Sequence, residues 1–289
     1  MSDPNEQVLR WAERTLGGGA RVVAWEALKL QDTQKTWLLR VEQGHASTSL
    51  VLKTSPLGWD AGVAVEKAVL PLLEELGVPA PRLLGVDLTG HAGVLAVLST
   101  VVPGSSGRPA NAPLQRLRGL GAAAARLHAI PLHPRSDLPH RDRPVAYDPY
   151  VAERREGKAP TSSLLDEADH VVSNVVVPPA DTVLVHGDYH LANTMWSDDT
   201  FVGYIDWDTA GVGQPGIDLG WARFDAALFY SQQAADEILR GWMEETGYEP
   251  AGVAYWDAIA ALQSPADLGE LSPQRDAFLL SALQRLERC

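Results

Sequence analysis

The chain has 289 residues, 45% of them apolar and 21% charged, ordinary proportions for a globular protein that can hold two lobes or one large domain with ample core. A formal net charge of −13 argues against nucleic acid or an anionic membrane as partner and is compatible with a cationic small substrate. The single cysteine, Cys289, excludes an internal disulfide. No apolar run approaches the roughly 20 residues needed to span a bilayer. The start, MSDPNEQVLRWAERTL, lacks the apolar core of a signal peptide, so the expected location is cytoplasmic.

In chain order, residues 5–16 read as a helix with Val8, Leu9, Ala12 and Leu16 on one side, stopped by Gly17, Gly18 and Gly19. Those glycines lack the Lys-Ser/Thr of a phosphate-binding P-loop and read as a turn. Three strands are predicted next, Arg21 to Leu30, Thr36 to Glu42 and Thr48 to Lys53, joined by polar turns as in an antiparallel meander. A helix follows near Gly62 to Leu76, carrying Glu66 and an apolar face, with a kink expected at Pro71. Two further strands, Arg82 to Val86 and Gly93 to Leu98, lead through Ser99, Thr100, Val101 and Val102 to Pro103-Gly104, a natural lobe boundary. Leu114 to Ile130 is strongly helical, with Leu117, Leu120, Ala124 and Leu127 on one face, and His128 near its end reads as a structural histidine. Residues 131–161, rich in Pro, Arg and Asp, predict a long irregular excursion able to border a substrate cleft, and Ser162 to Val175 a helix.

The stretch LVHGDYHLANTMW, Leu184 to Trp196, organises the rest. A β-branched run from Thr182 to Val185 predicts a short buried strand ending in the His186-Gly187-Asp188 loop. Asp188 and Asn193 have the D-x4-N spacing of a phosphoryl-transfer loop, in which the Asp accepts the proton of the attacking hydroxyl and the Asn oxygen holds Mg²⁺. A second apolar run, Phe201 to Ile205, ends in Asp206, the place for another hard-oxygen metal ligand. Strand, loop, strand and Asp read as one hairpin-like unit. Four helices are expected after Asp218, at roughly Leu219 to Ser231, Gln233 to Thr246, Val253 to Leu262 and Pro273 to Arg288, with acidic and aromatic residues such as Trp221, Asp225 and Tyr230 recurring.

The HGDYHLANTMW and YIDWD motifs, followed by GQPGIDLG, resemble the aminoglycoside phosphotransferase and choline kinase-like family of small-molecule kinases. The resemblance implies an α+β, two-lobed protein-kinase-like fold: an N-terminal nucleotide-binding lobe over 1–102, hinged at about 99–102, and a larger, mostly helical catalytic and substrate-binding lobe over 103–289. It implies ATP and Mg²⁺ as cofactors and transfer of the γ-phosphoryl group to a hydroxyl of a small molecule, with an antibiotic such as an aminoglycoside the first expectation. Asp188 becomes the base, Asn193 and Asp206 the metal ligands, and Lys53, paired with Glu66, the partner of the nucleotide phosphates. Ser99, Thr100 and Val101 would offer backbone hydrogen bonds to the adenine, and Asp218 would be a buried organising carboxylate. The chain departs from the pattern in the Leu30 to Lys35 turn, which has no glycine to lie over the phosphates and leaves Thr33 or Gln34 to help. Other readings stay open: a metabolic sugar, amine or natural-product kinase, a non-catalytic nucleotide-binding homologue, and a metal-dependent hydrolase built on His186, Asp188 and His190.

Overall fold

The computed structural model describes residues 3–31, 34–177 and 179–288. Thr33 and Cys289 lie outside the described residues. The chain divides into two compact units, Met1–Pro103 with Gly203–Asp208, and Gly104–Val202 with Thr209–Cys289. Asp206 thus belongs with the N-terminal unit although it follows the loop of Asp188 and Asn193 in sequence.

The N-terminal unit opens with helix α1 (Glu6–Leu16), whose first turn is capped by the Asn5 side chain accepting the Val8 N–H at 2.7 Å. Strands β1 (Arg21–Leu30), β2 (Lys35–Gln43) and β3 (Ala46–Ser55) form the predicted meander, followed by α2 (Asp60–Glu75), β4 (Leu83–Asp87) and β5 (Leu95–Thr100). All pairings are antiparallel, in the order β1-β2-β3-β5-β4. Alternation along the strands sorts the two faces. Trp37, Leu39, Val41, Leu50, Leu52, Ala96 and Leu98 join Val8 and Ala12 of α1 in one buried cluster. Lys53, next to Leu52, is thereby turned to the opposite face. Pro71 lies inside α2, and the helix continues through it to Glu75.

The C-terminal unit is mostly helical: α3 (Leu114–His128), α4 (Tyr150–Arg155), α5 (Ser163–Asn174), α6 (Gly216–Phe229), α7 (Gln232–Thr246), α8 (Val253–Leu262) and α9 (Ser272–Leu286). Side-chain caps at Ser162 and Ser231 start α5 and α7, and Gly247, at φ 80°, ends α7 in the left-handed conformation. Helices α5, α6, α8 and α9 enclose a core that includes Leu165, Phe224, Trp256 and Phe278. Helices α3 and α7 meet at Gly121 and Gly241, where a Cβ on either would run into the other helix's backbone, at Ile238 and Arg118 respectively.

Two expectations are corrected here. The strand entering the His186-Gly187-Asp188 loop, β6 (Val183–Val185), pairs not with the strand before Asp206 but with β9 (Gly211–Gly213), a short segment the apolar pattern does not reveal. The strand before Asp206, β8 (Thr200–Tyr204), pairs instead with β7 (Thr194–Ser197) directly after the loop. The loop and Asp206 are therefore carried by two ribbons rather than one hairpin. Residues 131–161 are also less irregular than expected, because α4 forms within them. Among the described residues no helix is long and apolar enough to cross a membrane.

Candidate active site

In the N-terminal unit the register of β3 and the apolar face of α2 bring Lys53 to Glu66. The Lys53 ammonium donates to Glu66 Oε1 at 2.7 Å and to Asp206 Oδ1 at 2.5 Å. Glu66 is buried and Lys53 nearly so. Burial alone would lower the Lys53 pKa, but Asp206, then Glu66 and Asp208, more than reverse that and hold the ammonium above the ordinary lysine value. Lys53, Glu66 and Asp206, singled out far apart in sequence, are thus in direct contact.

Two residues that sequence reasoning missed complete this cluster. Lys29 of β1 approaches Asp206 Oδ2 at 3.4 Å. Asp208, two positions after Asp206, accepts the Gln34 side-chain amide at 2.9 Å, and burial followed by the neighbouring Asp206 carboxylate pushes it up to about 7. The repeated acid in YIDWD was the available signal. Asp206 itself has φ 67°, the left-handed region, which Asp enters more readily than most residues but still at a cost. Of the segment expected to meet adenine, Ser99 is paired in the sheet with Val51 and Leu83, and Thr100 exchanges hydrogen bonds with Arg82. Val101 follows the strand, 38% exposed, with no hydrogen bond to its backbone from any of the described residues.

In the C-terminal unit the loop from His186 to Asn193 hangs from Asp218 on α6. This fully buried carboxylate accepts the His186 and Gly187 N–H groups, each at 2.8 Å, and contacts His128 Nε2 at 3.1 Å. His128 in turn accepts the Trp242 indole N–H on Nδ1 at 3.1 Å, which satisfies both ring nitrogens and agrees with the structural role expected of it. Gly187 is at φ 83°, and a Cβ there would strike the Thr209 carbonyl, so no other residue fits this turn without strain.

The loop places Asp188 and Asn193 together. Asn193 Nδ2 donates to Asp188 Oδ2 and to the Asp188 carbonyl, both at 2.9 Å. Using the nitrogen in this way leaves the amide oxygen of Asn193 as the atom available to a hard cation. Helix α6 supplies a contact that sequence reasoning did not find: Trp221 Nε1 donates to Asp188 Oδ1 at 2.6 Å. His190 Nδ1 accepts the Ala192 N–H at 3.1 Å, so its proton lies on Nε2, 3.4 Å from Asp188 Oδ1. Burial alone would lower the His190 pKa, but Asp188 outweighs it and the net shift is upward. Behind it, Arg108 donates to His190 Nδ1 at 3.4 Å and is clamped by Asp225 of α6. His186 Nδ1 likewise accepts a loop N–H, that of Asp188. The two histidines brace the backbone, which is a different task from ligating zinc.

Among the described residues no three His, Cys, Asp or Glu side chains are clustered to hold a metal on their own.

A lysine clamped by a helical glutamate, an acid after the second ribbon and a D-x4-N loop on a helical unit define a small-molecule kinase of protein-kinase-like architecture. The model of the phosphotransferase enzyme family matches residues 28–262, and the chain belongs to that family. The fold is shared with a macrolide 2'-phosphotransferase from Brachybacterium faecium, which is 18% identical with a TM-score of 0.64, over 97% of this chain and 93% of that one. It is shared also with an amicoumacin kinase solved with AMP-PNP and Ca²⁺, which is 16% identical with a TM-score of 0.62, over 91% and 88% of the two chains. A probable aminoglycoside 3'-phosphotransferase from Lactococcus lactis subsp. lactis (strain IL1403) is 40% identical over 57 residues. That match spans about a fifth of either protein, 20% of this chain and 22% of the relative.

Proposed function

We propose that the protein transfers the γ-phosphoryl group of ATP to a hydroxyl of a small, amine-bearing acceptor, an aminoglycoside-like or other antibiotic. The observation that carries the reading is the Asp188–Asn193 contact, which turns the amide nitrogen to the base and the amide oxygen away from it. Asp188 orients the acceptor hydroxyl and takes its proton as the oxygen bonds to the γ-phosphorus. The bond from that phosphorus to the β–γ bridging oxygen breaks, and ADP leaves. Lys53, held by Glu66, meets the α- and β-phosphates. Asn193 and Asp206 would hold Mg²⁺, which supplies charge neutralisation on the phosphates when bound. The backbone of Val101, with Ser99 and Thr100 leading into it, meets the adenine. Because the transition state is loose, placement and charge carry most of the rate.

The amine preference rests on Asp148. Among the described residues its carboxylate has no hydrogen-bond or ion-pair partner, and burial, followed by the nearby Asp188, raises its pKa, with Arg143 opposing. A cationic acceptor would relieve both effects. Asp148→Asn is therefore expected to raise KM for an amine-bearing acceptor about tenfold, equivalent to about 1.4 kcal/mol, and to leave KM for ATP alone. A carboxyl whose folded pKa is raised contributes most favourably below its unfolded value near 4 and loses that contribution as pH rises through the folded value. The variant should therefore be the more stable protein at pH 8 and lose its advantage towards pH 4, which a melting series in pH tests.

The decisive experiment is ADP release with Mg²⁺-ATP across aminoglycosides, macrolides, peptide antibiotics, amino sugars and choline-like amines, with Asp188→Ala alongside. Release with one acceptor, reduced about 10²–10⁴-fold in the variant, is the expected result. Release with a sugar or metabolic amine alone would make this a metabolic kinase. Nucleotide binding with no turnover on any acceptor would overturn the reading in favour of a binding protein.

A further inference from the structure

Helix α6 grips the catalytic loop along one stripe. Asp218, Trp221 and Asp225 are spaced i, i+3, i+7 and so share a face of the helix. Asp218 takes the backbone N–H groups of His186 and Gly187, and Asp225 reaches His190 through Arg108. Trp221 lies between them, on the carboxylate of Asp188 itself. The other side of α6 is committed to packing: Arg223, fully buried, is paired with Asp257 of α8 at 2.9 and 3.0 Å.

A carboxylate's terminal torsion is broad, so a base held only at its backbone can rotate away from the hydroxyl it serves. Here its two oxygens are met from different elements, Oδ1 by the α6 indole at 2.6 Å and Oδ2 by the loop amide of Asn193 at 2.9 Å. The plane of the carboxylate is thereby set. Tryptophan suits the task because its N–H sits on a rigid ring, and that ring packs on Phe224, with centroids 5.6 Å apart, and against the core of the helical unit. His190 approaches the same oxygen at 3.4 Å and is a weaker second support.

We propose that Trp221 is a positioning residue for phosphoryl transfer, fixing the carboxylate plane of Asp188 through its indole N–H. The inference rests on the phosphotransferase reading, and its test separates the two. In protein labelled with ¹⁵N at the indoles, the Trp221 N–H resonance, assigned by its absence from Trp221→Phe, should lie downfield and move upfield in Asp188→Ala. This measurement needs no acceptor. With an acceptor in hand, Trp221→Phe keeps the ring on Phe224, and its melting temperature reports whether the fold is retained. It is expected to lower kcat about tenfold to a hundredfold, as a small misplacement of a reacting group does, while KM for ATP stays as in the wild type.

A Trp221 resonance indifferent to the loss of Asp188 overturns the contact. A folded Trp221→Phe protein with wild-type kcat overturns the positioning role. A wild-type enzyme that turns over no acceptor, while the resonance responds as expected, overturns the phosphotransferase reading and leaves the contact standing as structural.

Discussion

Asp218→Ala should lose about 3–5 kcal/mol of stability and nearly all activity, because it takes one acceptor away from three donors at once. The carboxylate is fully buried and holds the His186 and Gly187 N–H groups and His128. After truncation no water replaces it readily, and each orphaned N–H costs about 1–3 kcal/mol. His128 would also lose one of its two partners, loosening the end of α3 and its link to Trp242. Urea titration of the variant reads the stability, and ADP release reads the activity. A midpoint shift worth less than about 1 kcal/mol, or turnover within a factor of a few of wild type, would show that the loop is held by something other than Asp218.

Asp206→Ala should behave in the opposite way, with activity reduced about 10²-fold or more and stability little changed. The side chain is a metal ligand in the proposed mechanism, so its loss removes an oxygen that charge neutralisation depends on. The folded unit has compensations. Lys53 keeps Glu66 at 2.7 Å, so no buried ammonium is left unpaired. Asp208 loses the neighbouring charge that, after burial, does most to raise its pKa. Thermal melting beside steady-state kinetics with Mg²⁺-ATP separates the two effects. Wild-type turnover in the variant would remove Asp206 from the metal site, and a collapse of stability would make its role architectural.

Much of the fold could be read from periodicity, because its elements announce themselves locally. The meander alternates, α1 and α3 carry apolar stripes, and Asn5, Ser162 and Ser231 sit where caps belong. What could not be read depends on distant partners. Strand β9 is a Gly-Val-Gly segment whose strand character comes from β6, 30 residues earlier at the Val183–Gly213 pair. Trp221 and Asp225 stood out only as aromatic and acidic residues of a helical region. Their shared face with Asp218 was available from spacing, but the loop that face meets was not. Lys29 was hidden for a similar reason, since a lysine on a first strand reads as surface until Asp206 is placed beside it. The contact between Asp188 and Asn193 is near at hand in the sequence because both lie in one tight loop, where sequence distance and spatial distance coincide.

The Lys53 contacts have a consequence for how the enzyme selects what enters. Oδ1 of Asp206 already faces an ammonium 2.5 Å away, and Oδ2 has Lys29 in reach. A bare divalent ion approaching this acid meets two resident cations and must compete with them. A divalent ion carried on a polyphosphate brings its own negative charge, which gives both lysines somewhere else to go. Under the proposed mechanism, the two lysines would therefore bias this acid towards a metal that arrives with its nucleotide over a bare divalent ion.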